Sequence, residues 1–385
     1  MSASEPPPGL RVLYWTEVFF PYTGGTEVLG GNLLAGLRRR GHDFEIVTSH
    51  GPLDLPDLDD HEGLPVHRLP FFAAVADRDV ARMARTRRRA VEIKEAFAPD
   101  LIHVQSVGPG LLFHLHSARS FPAPWIFTPH APLTDQATGT GTVLGDAFRT
   151  ADEIVCVSDT QRDSILRIAP AAAPRTSVIH NGLDPPALEP APLPFDPPRL
   201  VCLGRHVRDK GLDVALRAFA RLTARFPELR LTVIGDGPER PALEHQAAEL
   251  NLGGRVDFPG RVPEIPPYLN AATIVVMPSR WEETFGLVAL EAALMARPVV
   301  VTRAGALPEV VAHGETGLVV EKEDDAAVAE AIAFLLERPE TARRMGGAGR
   351  ERAIRRFGLR LCIDRYDALY RRIARRSPAA ARIER

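Results

Sequence analysis

Residues Met277 to Val301 read MPSRWEETFGLVALEAALMARPVVV. Thr273 to Met277 is a short apolar run that predicts a buried strand, and beyond a polar turn Leu287, Leu290 and Leu294 recur at helical spacing. Val299 to Thr302 predicts the next strand. The first turn of a helix has unpartnered backbone N–H groups and a partial positive charge, so the amides of Phe285, Gly286, Leu287 and Val288 are placed to face an anion. Glu283 lies in the loop before this turn, and Glu291 follows eight residues later, roughly two turns into the helix. An ionised carboxylate accepts hydrogen bonds but cannot donate them, so beside an anion site it suits hydroxyl groups. A nucleotide sugar carries hydroxyls on both sides of a diphosphate.

Working outward, the alternation of strand and helix extends over most of the chain. Strands are predicted at Arg11 to Trp15, Phe44 to Thr48, Leu101 to Gln105, Trp125 to Thr128, Glu153 to Val157 and Ser177 to Ile179. A second series follows at Leu200 to Leu203, Leu231 to Ile234, Val256 to Phe258, Thr273 to Met277, Val299 to Thr302 and Gly317 to Val320. Such alternation predicts parallel sheets covered by helices on both faces. Between the series the chain reads DPPALEPAPLPFDPP (Asp184 to Pro198), a composition that suits neither a helix interior nor a central strand and predicts a linker. The reading is α/β: a first doubly wound, Rossmann-like domain over 1–183, a Pro-rich linker over 184–198 and a second such domain over 199–357. Leu361, Tyr366, Leu369 and Ile373, among many arginines, predict a final amphipathic helix within about 358–385.

Composition narrows the function classes. The 385 residues are enough for two cores, and a formal net charge of −2 gives no reason to expect nucleic acid. Cys156, Cys202 and Cys362 are far apart and form no metal-ligand spacing, which fits buried thiols in a reducing compartment. The start MSASEPPPGL has neither a basic region nor an apolar core, and no apolar run approaches a bilayer-spanning length, so a cytoplasmic location is expected.

Several residues carry candidate chemistry. Gly24 and Gly25 precede a predicted helix; alone, they read more readily as a plain tight turn than as an anion site. Gly204-Arg205 and Lys210-Gly211 follow a strand, where a guanidinium fork and a lysine can stabilise a developing diphosphate charge. Each charge-assisted hydrogen bond is worth about 1.5 to 3 kcal/mol, a partial share of a typical barrier reduction of roughly 8 kcal/mol or more. His130, in TPHAP, follows an apolar strand; a lone histidine is more often a hydrogen-bonded structural residue. Arg82, Arg85, Arg87, Arg88 and Arg89 form a basic run that reads as a solvated helix face or as a weak contact with anionic lipid. Asp57-Leu58-Asp59 lies in an acidic, Pro-containing loop and reads as solvated rather than as a metal site. Gly235-Asp236-Gly237 lacks the third glycine of a dinucleotide fingerprint.

A single Glu-x7-Glu spacing is most often two ordinary glutamates, but here it sits inside a longer pattern. The run Pro278, Ser279, Glu283, Phe285, Gly286, Leu287, Val288, Leu290, Glu291, Ala292, Pro298, Val299, Val300 resembles the E-x7-E signature of the retaining GT-B glycosyltransferases of family 4. Gly24-Gly25-Thr26-Glu27 resembles that family's GG-x-E loop, and Gly204 to Gly211 its GR-x4-KG pattern. The resemblance implies two Rossmann-like domains facing each other across a cleft, with the last helix returning to the first domain. It implies transfer from a nucleotide diphosphate sugar to a small-molecule, glycan or lipid acceptor, with retention and with neither metal nor cofactor.

Residue by residue, the resemblance gives Glu291 the nucleotide ribose, and Glu283 and His130 the donor sugar. It gives Arg205, Lys210 and the helix start at Phe285, Gly286, Leu287 and Val288 the diphosphate. Gly25 faces the donor phosphates, Val262 receives the nucleobase, and Glu309 faces the donor. Asn181-Gly182 resembles the family's NG-x-D turn. The sequence departs from the pattern at Ala293, Ala296 and Ala306, and Ala306 narrows the expected sugar pocket. Two other enzyme classes on a similar fold, a phosphorylase and a sugar-nucleotide epimerase, and a non-catalytic binding module remain as alternatives at this point.

Overall fold

In β1 (Arg11–Trp15) alternate side chains part to opposite sides of a sheet, and from Val12 to Trp15 both sets are buried. Leu13 and Trp15 join one apolar cluster, whereas Val12 and Tyr14 join another. That double burial is the reason the strand reads as a continuous apolar run. The computed structural model describes residues 8–375 except 23, 52, 134–138 and 140, so the opening segment that bears on a signal peptide lies outside the described residues.

Seven further strands complete this sheet: β2 (Asp43–Ser49), β3 (Leu58–His61), β4 (Leu64–Leu69), β5 (Leu101–Val104), β6 (Trp125–Phe127), β7 (Glu153–Cys156) and β8 (Thr176–Val178). Their order is β3-β4-β2-β1-β5-β6-β7-β8, parallel except for the antiparallel pair β3/β4. Asp57 is exposed, in line with the solvated reading, but Leu58 and Asp59 lie in an edge strand rather than a loop. Leu58–His61 pairs with β4, and Asp59 takes a 3.0 Å ion pair from the buried Arg68. The second sheet holds β9 (Arg199–Leu203), β10 (Arg230–Ile234), β11 (Val256–Gly260), β12 (Ile274–Met277), β13 (Val299–Thr302) and β14 (Gly317–Val320). Its order is β11-β10-β9-β12-β13-β14, parallel throughout.

The chain divides into two compact units. One draws on the chain up to His180 and again from Leu359, and the other spans Asn181–Gly358. The helix Leu359–Ala374 thus belongs with the first unit, where Leu359, Ile363, Tyr366, Leu369, Tyr370 and Ile373 cover the same sheet face as Val12, Phe44 and Ile46. Tyr370 bonds the ring of His103 in β5, and His42 lies 2.7 Å from Asp367.

The Pro-rich segment read as a linker at 184–198 is laid onto the second unit. The buried Arg297 guanidinium donates to the carbonyls of Ala191, Ala272 (3.0 Å) and Met295 (2.8 Å) and to Asn270 Oδ1 (3.0 Å). Asn270 in turn accepts from the Ala191 amide at 2.7 Å, and Leu193 is buried in the second core. Proline removes backbone donors, so this segment is fastened through its carbonyls, the Ala191 amide and the Leu193 side chain rather than through a strand ladder.

Candidate active site

In the second unit, three loops that leave the carboxyl ends of parallel strands meet at Glu283, the edge where such sheets bind ligands. The loop after β9 runs through Gly204, Arg205 and a short 3-10 turn, Arg208–Lys210, to Gly211, which opens the helix Leu212–Leu222. Gly211 has φ +64, and a Cβ there would stand 2.0 Å from the Pro278 carbonyl oxygen. Only glycine lets this turn press against the loop after β12. The Asp209 carbonyl accepts the amides of Arg280 (2.8 Å) and Trp281 (3.3 Å), tying the two loops together.

That contact brings Lys210 Nζ to 2.6 Å from Glu283 Oε1, and Ser279 Oγ donates to the same oxygen at 2.8 Å. The third loop, after β13, completes the support: the Ala306 amide donates to the Glu283 carbonyl at 2.8 Å, and Thr302 Oγ1 donates to the Ser279 carbonyl at 2.6 Å. Glu283 is therefore held by side chain and backbone together. Ala306 is fully buried beneath it. Arg205 is exposed, and no hydrogen bond or ion pair of its side chain is found among the described residues.

The helix Leu287–Leu294 begins at Gly286, whose φ of +105 places it in the left-handed region. A Cβ at Gly286 would meet Leu307 at 2.5 Å, so the tight entry again requires glycine. Phe285 is buried beside Phe357, and Leu287 and Val288 supply the first helical amides. Glu291 sits on this helix, partly exposed at its surface yet enclosed enough that burial pushes its carboxyl up to about 7. Among the described residues its carboxyl has no hydrogen-bond or ion-pair partner. A group so placed favours neighbours that hydrogen-bond it without adding charge. Val262 follows β11, half-buried, and Glu309 lies in the helix Leu307–Val310, where its carbonyl accepts from Arg352 at 2.8 Å.

The two remaining candidates belong to the first unit. Gly25 is the first residue of the helix Gly25–Arg38, so the Gly-Gly segment is the start of the helix itself. His130 follows β6, and its Nε2 lies 3.0 Å from Gln105 Oε1. Burial holds the imidazole down to about 4, so it is neutral at pH 7. Gln105, and Tyr14 which donates to it at 2.9 Å, are site neighbours that sequence reading passes over. The available signal was a polar side chain closing the apolar run of β5.

The comparisons with known proteins agree in both halves. Residues 23–186 match the family model for Glycosyltransferase Family 4, and residues 188–352 match that for Glycosyl transferases group 1. The chain is 31% identical over 322 residues to alpha-maltose-1-phosphate synthase of Mycolicibacterium smegmatis, covering 73% of this chain and 81% of that protein. It is 38% identical over 167 residues to a GDP-mannose-dependent alpha-(1-6)-phosphatidylinositol monomannoside mannosyltransferase of the same organism, 41% of this chain and 44% of the other. Sucrose-phosphate synthase from Thermosynechococcus elongatus has a similar structure, with TM-score 0.82 at 25% identity over 95% of this chain and 100% of that one. Anabaena Alr3699/HepE in complex with UDP-glucose gives TM-score 0.77 at 20% identity over 94% and 99%, a likeness of fold alone.

Proposed function

This chain belongs to the glycosyltransferase group 1 family, and we propose that it transfers a hexose from a nucleoside diphosphate sugar to an acceptor hydroxyl, with retention and without a metal. The reading is carried by one juxtaposition: Glu283 on Lys210 at 2.6 Å, in the loop that leads into the helix bearing the unpartnered carboxyl of Glu291. Lys210, Arg205 and the first amides of the helix Leu287–Leu294 bind the diphosphate. Glu291 hydrogen-bonds the ribose hydroxyls, Val262 borders the base, and Glu283 and Glu309 face the sugar. His130 and Gly25 keep the roles that the family resemblance gives them.

In the transfer step the bond between the anomeric carbon and the phosphate oxygen breaks. The acceptor oxygen forms its new bond on the same face, and its proton passes to the departing phosphate oxygen. Charge that develops on that phosphate is met by Lys210, held in place by Glu283 before reaction, and by Arg205. The three buried cysteines, in no disulfide among the described residues, are in keeping with action in the reducing cytoplasm.

The test is calorimetric titration with UDP, GDP, ADP and TDP, with Glu291→Ala as control, followed by incubation with the sugar form of the nucleotide that binds. Selective binding lost in the variant is the expected result. A donor consumed only with inorganic phosphate would instead mark a phosphorylase, and a donor altered without any acceptor an epimerase. Binding without turnover would mark a non-catalytic module.

A contact with anionic membrane is a second element of the reading. Residues 71–91 carry six arginines against two aspartates. Next to them Phe72, Val75 and Val80 are 48%, 37% and 77% exposed on the helices Phe71–Ala76 and Val80–Phe97. Arg85 and Arg88 face solvent on the same helix as Val80. Arg82 pairs with Asp77 and Arg89 with Glu92, but apolar side chains beside Arg85, Arg87 and Arg88 suit an anionic lipid surface, at about 1 kcal/mol per cation. Co-sedimentation with anionic but not neutral vesicles is expected, and equal binding to both would remove the idea. Among the described residues no helix is long and apolar enough to cross a membrane.

A further inference from the structure

Gln105 lies just past the carboxyl end of β5, and its side chain is buried. Its backbone is fixed on both sides, the amide donating to the Trp15 carbonyl at 2.7 Å and the carbonyl accepting from Thr16 Oγ1 at 3.4 Å. Its side-chain oxygen receives two neighbours, the Tyr14 hydroxyl at 2.9 Å and His130 Nε2 at 3.0 Å. The Tyr14 hydroxyl is itself buried, and Gln105 is its one hydrogen-bond partner among the described residues. Its proton therefore needs the amide oxygen, because a reversed amide would present N–H to a buried O–H and leave that proton unmatched. With the amide so oriented, an acceptor faces His130 Nε2. An amide oxygen only accepts, so Nε2 must carry the ring's proton.

We propose that Gln105 is a positioning residue that sets the tautomer of His130, keeping Nε2–H and leaving Nδ1 as the ring's acceptor atom. A neutral imidazole in this tautomer offers Nδ1 as an acceptor alone and cannot deliver a proton there. His130 then orients substrate and does not act as an acid. The tautomer follows from the two contacts of Gln105 Oε1, whereas its effect on turnover rests on the role proposed for His130 above.

The experiment uses the full chain with 15N-labelled histidine, assigned through His130→Gln, and reads long-range proton-nitrogen correlations at pH 7.5. Nε2–H in the wild type and in Gln105→Glu, which keeps an acceptor oxygen, is the expected result. In Gln105→Leu the Nε2 resonance should shift, and the ring should populate both tautomers. Turnover should fall roughly tenfold or more in Gln105→Leu with little change in nucleotide affinity, and recover in Gln105→Glu. Nδ1–H in the wild type, or a His130 signal and turnover unchanged in Gln105→Leu, would overturn the inference. A retained tautomer pattern alongside a His130→Gln variant of full activity would instead fault the functional reading and leave the tautomer assignment standing.

Discussion

Lys210 and Glu283 form one unit: the ammonium lies 2.6 Å from the carboxylate, and both side chains are largely covered, at 27% and 14% exposure. The resemblance gives the lysine to phosphate and the glutamate to sugar, so the contact couples two roles that sequence reading keeps apart. Removing the lysine strips Glu283 of its cation as well as removing a phosphate partner. Lys210→Ala should lower kcat by about a hundredfold or more, the scale of losing one preorganised charge donor. Because the pair is not fully buried, its contribution to stability should stay near about 1 kcal/mol in a double-mutant cycle with Glu283→Ala. Unchanged kcat in Lys210→Ala would refute the phosphate assignment.

Glu283 and Glu291 should separate in kinetics. Glu283→Ala is expected to depress turnover far more than nucleotide affinity. Glu291→Ala should weaken nucleotide binding by about 1 to 3 kcal/mol, roughly fivefold to 150-fold in Kd. Titration with the preferred nucleotide beside steady-state kinetics measures both, and equal effects on affinity would contradict the division.

The Glu291 carboxyl also predicts a pH effect on stability. Its value is raised from 4.5 to about 7 by burial, so the folded protein holds this proton more tightly than the unfolded chain. The resulting advantage is fully present below pH 4.5 and disappears as pH climbs through about 7. Glu291→Gln, which stays neutral, should therefore raise the thermal midpoint at pH 8 and leave it little changed at pH 4.5. A variant no more stable than wild type at pH 8 would count against the buried carboxyl.

The two sheets could be read ahead of the structure because their strands are covered on both faces, which leaves continuous apolar runs such as IVVM and VVVT. The hairpin Leu58–His61 with Leu64–Leu69 could not, because an edge strand with two aspartates, paired to a strand that holds Pro65, gives a loop's composition. Glu283, Glu291 and Lys210 stood out by pattern, but their distances depend on Gly211 closing against Pro278, a contact 67 residues apart in sequence. Gln105 had no motif at all. Its importance comes from Tyr14 and His130, which neighbouring strands bring to it.

Arg297 tests how firmly the Pro-rich segment is held. Among the described residues it is buried without a carboxylate partner, and burial lowers its guanidinium to about 10 while four protein oxygens share its donors. Arg297→Met keeps bulk but frees the carbonyls of Ala191 and Ala272, so it should cost about 3 kcal/mol in denaturant unfolding. Limited proteolysis should then cut within 184–198 faster than in the wild type. Resistance equal to wild type would mean that the second core, through Leu193, suffices to hold the segment.

The helix Leu359–Ala374 makes a sharper prediction, because it is remote in sequence from the sheet it covers. Without it, Val12, Phe44, Ile46 and Leu101 lose the apolar cover supplied by Ile363, Tyr366, Leu369, Tyr370 and Ile373. Each of those side chains contributes about 1.5 to 3 kcal/mol on burial, so together they rival the whole stability of a typical domain, about 5 to 15 kcal/mol. A chain ending at Gly358 should therefore fail to fold its first unit although every strand of that sheet is present, while the second unit, Asn181–Gly358, retains its own core. The single change Tyr370→Phe, which removes only the hydroxyl bonded to His103, should cost about 1 kcal/mol. Hydrogen exchange followed by region distinguishes these outcomes. Protection lost throughout β1 to β8 but kept in β9 to β14 is the expected pattern for the truncated chain, and uniform protection in both sheets would show that the helix is dispensable to the first core.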